Sequence, residues 1–216
     1  MKETLRWKLA QYFEKRWWKN YLSNKTVEDY RVWKKDYWKK LLAAGEISLA
    51  NDSKVLDTGC GPAGVFIVLE NQQVTAIDPL LIDYEKQLQH FNKSDYKNVD
   101  FIHSTIENFK RENYFDFVFC MNAINHVQDY ETAMNNLTES LKPSGVFILT
   151  IDAHNYSFFK LLFRAIPGDI LHPHQYNLNE YKSHLLKRGV EIEKEILLKK
   201  EFFFNHYMII GRKNSK

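Results

Sequence analysis

The feature that most limits what this chain can become is the run Val55-Leu56-Asp57-Thr58-Gly59-Cys60-Gly61-Pro62-Ala63-Gly64. A short apolar strand ends, the backbone turns sharply through glycines, and a helix is predicted over Ala63–Glu70. Gly59 and Gly61 have no Cβ, so the chain turns tightly there and a ligand can approach the backbone closely. The first N–H groups of the following helix are expected to point into the crevice. In open parallel sheets such crevices lie at the carboxyl ends of the strands, near the point where strand order reverses.

The rest of the chain repeats that rhythm. Apolar runs predict strands over Lys54–Asp57, Val74–Ile77, Val99–His103, Phe115–Cys120 and Val146–Ile151, with helices over Tyr84–Phe91 and Tyr130–Leu141 between them. The almost uniformly apolar Phe115–Cys120 reads as a strand covered on both faces. Alternation of strand and helix argues for a parallel sheet sandwiched by helices. The tail differs. Ser157–Ile166 reads as an apolar helix and Leu178–Lys187 as another closed by Gly189. Glu191–Leu197 and Phe202–Ile210 are strands too close in sequence for a parallel crossover, so they form an antiparallel hairpin. The expected fold is therefore α/β, with seven mostly parallel strands and that hairpin at the C-terminal end.

Composition sets residues 1–45 apart. They hold 12 Lys/Arg and 5 Asp/Glu, a net of +7, against +3 for the whole chain, so the remainder is net −4. All five tryptophans (Trp7, Trp17, Trp18, Trp33, Trp38) fall there too. Leu5, Leu9, Tyr12/Phe13, Trp17 and Tyr21 recur at helical spacing, and Val27, Tyr30, Trp33, Tyr37 and Leu41 form a second stripe. Thr26 with Asp29 three residues on predicts the second helix's N-terminus, and Gly45 its end. Residues 1–45 are read as a helical cap, residues 46–216 as the main domain. Two roles stay open for the cap. One is a lid that packs its tryptophans over the crevice and excludes water. The other is a basic surface for nucleic acid or an anionic membrane. The lid is favoured, because apolar stripes opposite charged faces are usually core.

Asp78, 17 residues after Gly61, ends the second strand. A carboxylate there accepts hydrogen bonds from both hydroxyls of a ribose; alternatively Asp78-Pro79 is a turn that starts a helix. With these residues in place, the chain resembles the class I S-adenosylmethionine-dependent methyltransferases over roughly residues 50–212. Asp57-x-Gly59-x-Gly61-Pro62-x-Gly64 resembles that family's first motif and departs from the dinucleotide spacing G-x-G-x-x-G, which disfavours a nicotinamide-linked oxidoreductase. Phe101-Ile102-His103-Ser104-Thr105-Ile106-Glu107 resembles its third motif, with Thr105 where an aspartate usually meets the adenine amino group. Phe115–Val127 and Leu141–Gly145 resemble the fourth-strand motif and the turn before the fifth strand. The resemblance implies a Rossmann-like three-layer sandwich and S-adenosylmethionine as cofactor. It places cofactor contacts on Asp57, Gly59, Cys60, Gly61, Asp78, Pro79, Thr105, Ile106, Met121 and Asn122. Tyr37, just ahead of the fold, is expected by its position to touch the methionine end.

Methyl transfer is an in-line displacement in which the protein supplies position and a dry site. For a hydroxyl acceptor a histidine is the natural base. His126, after the fourth strand, and His172 and His174, in a segment expected to line the acceptor pocket as an insertion over residues 152–177, are the candidates; His154 is a lesser one. His172 and His174 lack a third ligand that would make them a metal site. Phe158–Phe163, rich in Phe and Leu, suggests an apolar lining. Asn122 is followed by Ala123-Ile124, not by the Pro-Pro-aromatic run of enzymes that methylate base amines, and no Pro-Cys pair offers a nucleophilic thiolate. Cys60 and Cys120 read as buried small residues. The expected reaction is methylation of an oxygen, or else a nitrogen, of a small molecule. An RNA- or protein-modifying enzyme docking through the basic cap, and a non-catalytic cofactor-binding module, are the rival readings. Two cysteines, no apolar run of about 18 residues and no signal-peptide pattern at Met1–Arg6 make a cytoplasmic setting the expectation.

Overall fold

Alternation within the central strands sets the layers. The computed structural model describes residues 4–155, 174 and 176–215. Its strands are β1 (Lys54–Thr58), β2 (Gln73–Ile77), β3 (Val99–Ile102), β4 (Phe115–Met121), β5 (Leu141–His154), β6 (Val190–Lys199) and β7 (Phe204–Lys213). They form one sheet in the order β3-β2-β1-β4-β5-β7-β6. β1 to β5 pair in parallel, and β7 runs antiparallel to both β5 and β6. This is the expected Rossmann-like architecture with its antiparallel C-terminal hairpin. Val55, Phe119 and Ile148 point into one layer, while Leu56, Val118 and Phe147 point into the other. Both sets are completely shielded from solvent, which is why these strands carry almost no polar residues.

Helices α1 (Leu5–Leu22), α2 (Val27–Gly45) and α3 (Leu81–Gln87) cover the first face; α4 (Tyr130–Ser140) and α5 (Leu178–Leu186) cover the second. The Thr26 hydroxyl caps α2 by accepting from the Asp29 amide at 3.1 Å and donates to the Asp29 carboxylate at 2.7 Å. α2 does end at Gly45, but the left-handed residue that closes it is Glu46, at φ 52°.

Several elements differ from expectation. The helix predicted over Ala63–Glu70 is replaced by two single 3₁₀ turns, Gly61–Ala63 and Val65–Val68. The Asp57 carboxylate accepts from the Phe66 amide at 3.1 Å, and Gly64, extended, leaves room for it, since a Cβ there would run into that carboxylate and the Cys60 carbonyl. The β-branched Val65, Ile67 and Val68 add little helical preference to oppose this. α3 starts three residues early, because Asp78 Oδ1 accepts from the Leu80 amide at 2.8 Å and sets the first turn. β5 is longer at both ends than Val146–Ile151, taking in Leu141–Gly145 through a register shift and Asp152–His154. Ser157–Ile166 and most of the 152–177 segment, including His172, lie outside the described residues.

The largest departure is the rotation of α1. The stripe Leu5, Leu9, Phe13, Trp17 was expected to face inward. Instead α1 buries Trp7, Ala10 and Leu22, and leaves Leu5 77% exposed. Three anchors fix this rotation. Thr4 donates from its amide to the Gln128 side chain at 3.1 Å, Lys15 pairs with Asp83 at 3.2 Å, and Trp18 packs edge-on against Tyr84.

Candidate active site

The two N-terminal helices and the carboxyl ends of β1, β2, β4 and β5 enclose a cavity of about 610 Å³. That lies within the roughly 300–1,000 Å³ of small-molecule sites. Trp7, Gln11, Glu14, Trp17 and Trp18 reach it from α1, and Trp33, Lys34, Tyr37 and Trp38 from α2. All five tryptophans of the chain thus line one cavity. Trp38 ties α2 to the glycine turn by donating its indole N–H to the Ala63 carbonyl at 2.9 Å.

The glycine turn needs its glycines for two separate reasons. Gly59 and Gly61 both have left-handed backbones, at φ 60° and 57°. A Cβ on Gly59 would collide with Ala123 after β4, whereas one on Gly61 would meet the Trp18 ring at 3.4 Å. The amides of this turn do not form a helix N-terminus, contrary to expectation. The Cys60 N–H donates to the Ile77 carbonyl at 3.2 Å, and the Gly61 N–H donates to Asp78 Oδ2 at 2.9 Å. Asp78 therefore serves both the crevice and the start of α3, since each of its oxygens accepts one backbone N–H. A carboxylate has about four acceptor sites, so beside these two amides and the neighbouring Tyr84 hydroxyl Asp78 keeps acceptor capacity for a hydroxyl donor from the cavity.

Charge in the cavity is mostly acidic and mostly buried. Burial pushes Asp78 up to about 6 and Asp57 up to about 7, the latter against hydrogen bonds from the Phe66 and Val65 backbone. Glu14, half-buried, is pushed up to about 8 by burial and by the nearby Asp78 charge, with a Trp18 hydrogen bond opposing. Lys34 is brought down to about 8 by burial, while Asp57 favours its charged form. Its ammonium sits 4.5 Å from the Trp38 ring centre and 5.1 Å from that of Tyr37.

The expected cofactor residues converge. Tyr37, Asp57, Gly59, Cys60, Gly61, Asp78, Pro79, Thr105, Ile106, Met121 and Asn122 all line this cavity, and so does His126. Asn122 takes a left-handed backbone at φ 53° and donates its N–H to the Thr150 carbonyl at 3.0 Å. Asp57 is 1% exposed and spends its Oδ2 on the Phe66 amide, so it shapes the turn as well as the wall. His174 is placed elsewhere. It packs on Tyr130 at 5.5 Å and hydrogen-bonds the backbone at Val127 and Gln128, and is not part of the cavity wall. His154, 7% exposed, packs edge-on against Phe204.

Trp18 lines the cavity as the lid reading expects, whereas Glu14 and Lys34 were not singled out by sequence reasoning. Lys34 sits beside Trp33, noted for its place in an apolar stripe, and Glu14 is the one acid in a basic helix. That isolated acid was the available signal.

Comparison with known proteins agrees with this geometry. A family model described as a methyltransferase domain matches residues 30–195. A ubiquinone biosynthesis O-methyltransferase of Rickettsia bellii is 31% identical over 102 residues, 46% of this chain and 42% of that protein. The protein of the same name from Rickettsia akari is 27% identical over 184 residues, covering 76% of this chain and 73% of its own length. The chain spans less than half the length of the first curated relatives it matches. Among solved structures, 1,6-didemethyltoxoflavin-N1-methyltransferase of Burkholderia thailandensis, with bound S-adenosylhomocysteine, superposes with a TM-score of 0.61 at 15% identity, over 99% of this chain and 92% of that one. With its matched domain, its sheet order and its enclosed glycine turn, the chain belongs to the methyltransferase-domain family and carries the Rossmann-like fold of the class I methyltransferases.

Proposed function

We propose that the chain methylates an oxygen of a small aromatic acceptor. The observation that carries this reading is Asp78, buried at the end of β2 with acceptor capacity left over, facing a cavity walled by indoles. Asp78 receives the ribose hydroxyls. Thr105 and Ile106 flank the adenine. Gly59, Cys60, Gly61, Pro79, Met121 and Asn122 shape the passage from ribose to sulfur. Lys34, helped by Tyr37, receives the methionyl carboxylate. Bound S-adenosylmethionine supplies an electrophilic methyl on a positively charged sulfur. The acidic cavity and its tryptophan faces suit that charge. His126 holds the acceptor hydroxyl and removes its proton.

The acceptor is read as aromatic because Trp7, Trp17 and Trp33 leave flat apolar faces inside the cavity, and as an oxygen nucleophile because the relatives bear O-methyltransferase names. The two N-terminal helices act as the lid that keeps water from the reacting atoms. A cytoplasmic setting belongs to the same reading, since Cys60 and Cys120 are both buried and unpaired.

Calorimetry and turnover test the proposal together. Asp78→Ala is expected to lower S-adenosylhomocysteine affinity about a hundredfold, from two charge-assisted hydrogen bonds of about 1.5 kcal/mol each. The intact chain is expected to turn over phenols faster than anilines of the same shape, read as S-adenosylhomocysteine released. Undiminished affinity in the variant removes the ribose assignment, and preferred turnover of the amines removes the oxygen assignment.

A further inference from the structure

We infer that the outer face of α1 is a docking surface for an anionic lipid bilayer. The stripe that fails to enter the core supplies the first observation. Leu5 is 77% exposed, Leu9 41%, Tyr12 52% and Phe13 45%, and their spacing of three and four residues places them on one side of the helix. A run of this size left in water by a helix whose other side is firmly packed marks an interaction site.

Charge supplies the second. Arg16 and Lys19 stand exposed on the same side of α1 as the apolar stripe. The single acid of the helix, Glu14, is turned to the opposite side, where it lines the cavity. The outer face is therefore apolar and cationic, the pattern of helices that lie in the plane of a membrane interface with aliphatic and aromatic residues inserted and Lys/Arg at the headgroups. No helix among the described residues is long and apolar enough to cross a membrane, so α1 would lie on the bilayer.

The same face suits other partners less well. RNA would engage Arg16 and Lys19 but leave Leu5 and Leu9 in water. A second copy of the chain would bring the same cations face to face. A bilayer rich in anionic headgroups meets both halves of the pattern at once. Phe202, 68% exposed between Lys200 and β7, adds an apolar point at the same end of the sheet, because Phe204 pairs with His154 where β5 ends. The inner side of α1 walls the cavity, so the helix that would touch the lipid also closes over the cofactor.

The test reads binding and not turnover, so its outcome is independent of the proposed acceptor. The full chain is spun with sucrose-loaded vesicles, either pure phosphatidylcholine or an equal mixture of phosphatidylcholine and phosphatidylglycerol. Binding to the anionic vesicles is expected to exceed binding to the neutral ones about tenfold or more. The combined variant Leu5→Glu, Leu9→Glu, Phe13→Glu is expected to lose vesicle binding while taking up S-adenosylhomocysteine as the parent does, because none of the three lines the cavity. A second variant, Arg16→Glu with Lys19→Glu, leaves every apolar residue in place and is expected to lose the preference for anionic lipid. Failure of the parent chain to sediment with either vesicle overturns the inference. So does full binding by both variants, and so does salt-sensitive binding of single-stranded RNA by a chain that ignores vesicles.

Discussion

The central strands and helix α1 carry the same kind of signal, apolar residues at regular spacing, yet the two resolve oppositely. In β1, β4 and β5 both alternating sets are apolar and both are buried, one under α1–α3 and the other under α4 and α5. In α1 two apolar sets also compete, but only one is covered. Trp7, Ala10, Trp18 and Leu22 turn to the sheet and cavity, and Leu5, Leu9, Tyr12 and Phe13 turn to solvent. Spacing identifies a helix and gives it faces. It does not say which face finds a partner, and in a helix with aromatic residues all round the anchors decide: Thr4 on Gln128, Lys15 on Asp83, Trp18 over Gly61.

The comparison breaks most directly at two leucines of the same helix. Leu22 is 2% exposed and packed in the core, so Leu22→Ala is expected to cost about 3 kcal/mol of unfolding free energy. Leu9→Ala is expected to stay within about 0.5 kcal/mol of the parent, as surface changes do. Urea denaturation of both variants measures the difference. If the two costs come out alike, the outer stripe is covered by something in the folded chain, and α1 resembles the strands after all.

The glycine turn sharpens the same contrast, because its two left-handed glycines are crowded from different sides. Gly59 faces Ala123, held by the backbone that follows β4, and that neighbour has no room to move. Gly59→Ala is expected to cost about 2–3 kcal/mol, combining an unfavourable backbone with a steric clash. Gly61 faces the Trp18 ring of α1 at 3.4 Å, an ordinary contact. Gly61→Ala is expected to cost about 1–2 kcal/mol, for the left-handed backbone alone. Thermal unfolding of the pair ranks them. Equal losses would mean that α1 presses on the turn as rigidly as the sheet does.

Much of the sheet was legible in the sequence because its signals are redundant. Strand, glycine turn and the Asp78 strand end each point to the same crevice, and the hairpin follows from the short link between β6 and β7. That the expected residues, down to Met121 and Asn122, line one cavity follows for the same reason. Three things were not. The missing helix after the turn depends on one side chain, Asp57, reaching forward to the Phe66 amide, and no periodicity reports such a bond. The extension of β5 through Pro143 and Gly145 depends on a register shift that relieves the strand of regular pairing there. Glu14 and Lys34 enter the site only because α1 and α2 are rotated as they are, which is tertiary information. The capping box of α5, in which Asn177 and Glu180 bond each other's backbone, was present in the sequence and was simply a signal not used.

Affinity for S-adenosylhomocysteine against pH separates the two regions by titration. Asp78 belongs to the sheet and accepts hydroxyl donors best when ionised; its pKa of about 6 lies above the ordinary carboxylate range because it is buried. Binding that needs the ionised form is therefore full above about 6 and falls as pH drops through that value. Lys34 belongs to α2 and holds a carboxylate only when protonated; burial brings it down to about 8. Binding that needs the protonated form is full below about 8 and declines as pH rises past it, levelling once pH passes the higher pKa that Lys34 takes beside the bound anion. The expected profile is a plateau between about 6 and 8 with a fall of up to about tenfold per pH unit on either side. Lys34→Met should flatten the upper limb and leave the lower one in place, whereas Lys34→Arg should keep affinity high at pH 9 because guanidinium does not titrate there. An upper limb that survives in Lys34→Met would remove α2 from the binding of the methionyl carboxylate and leave the cofactor to the sheet alone.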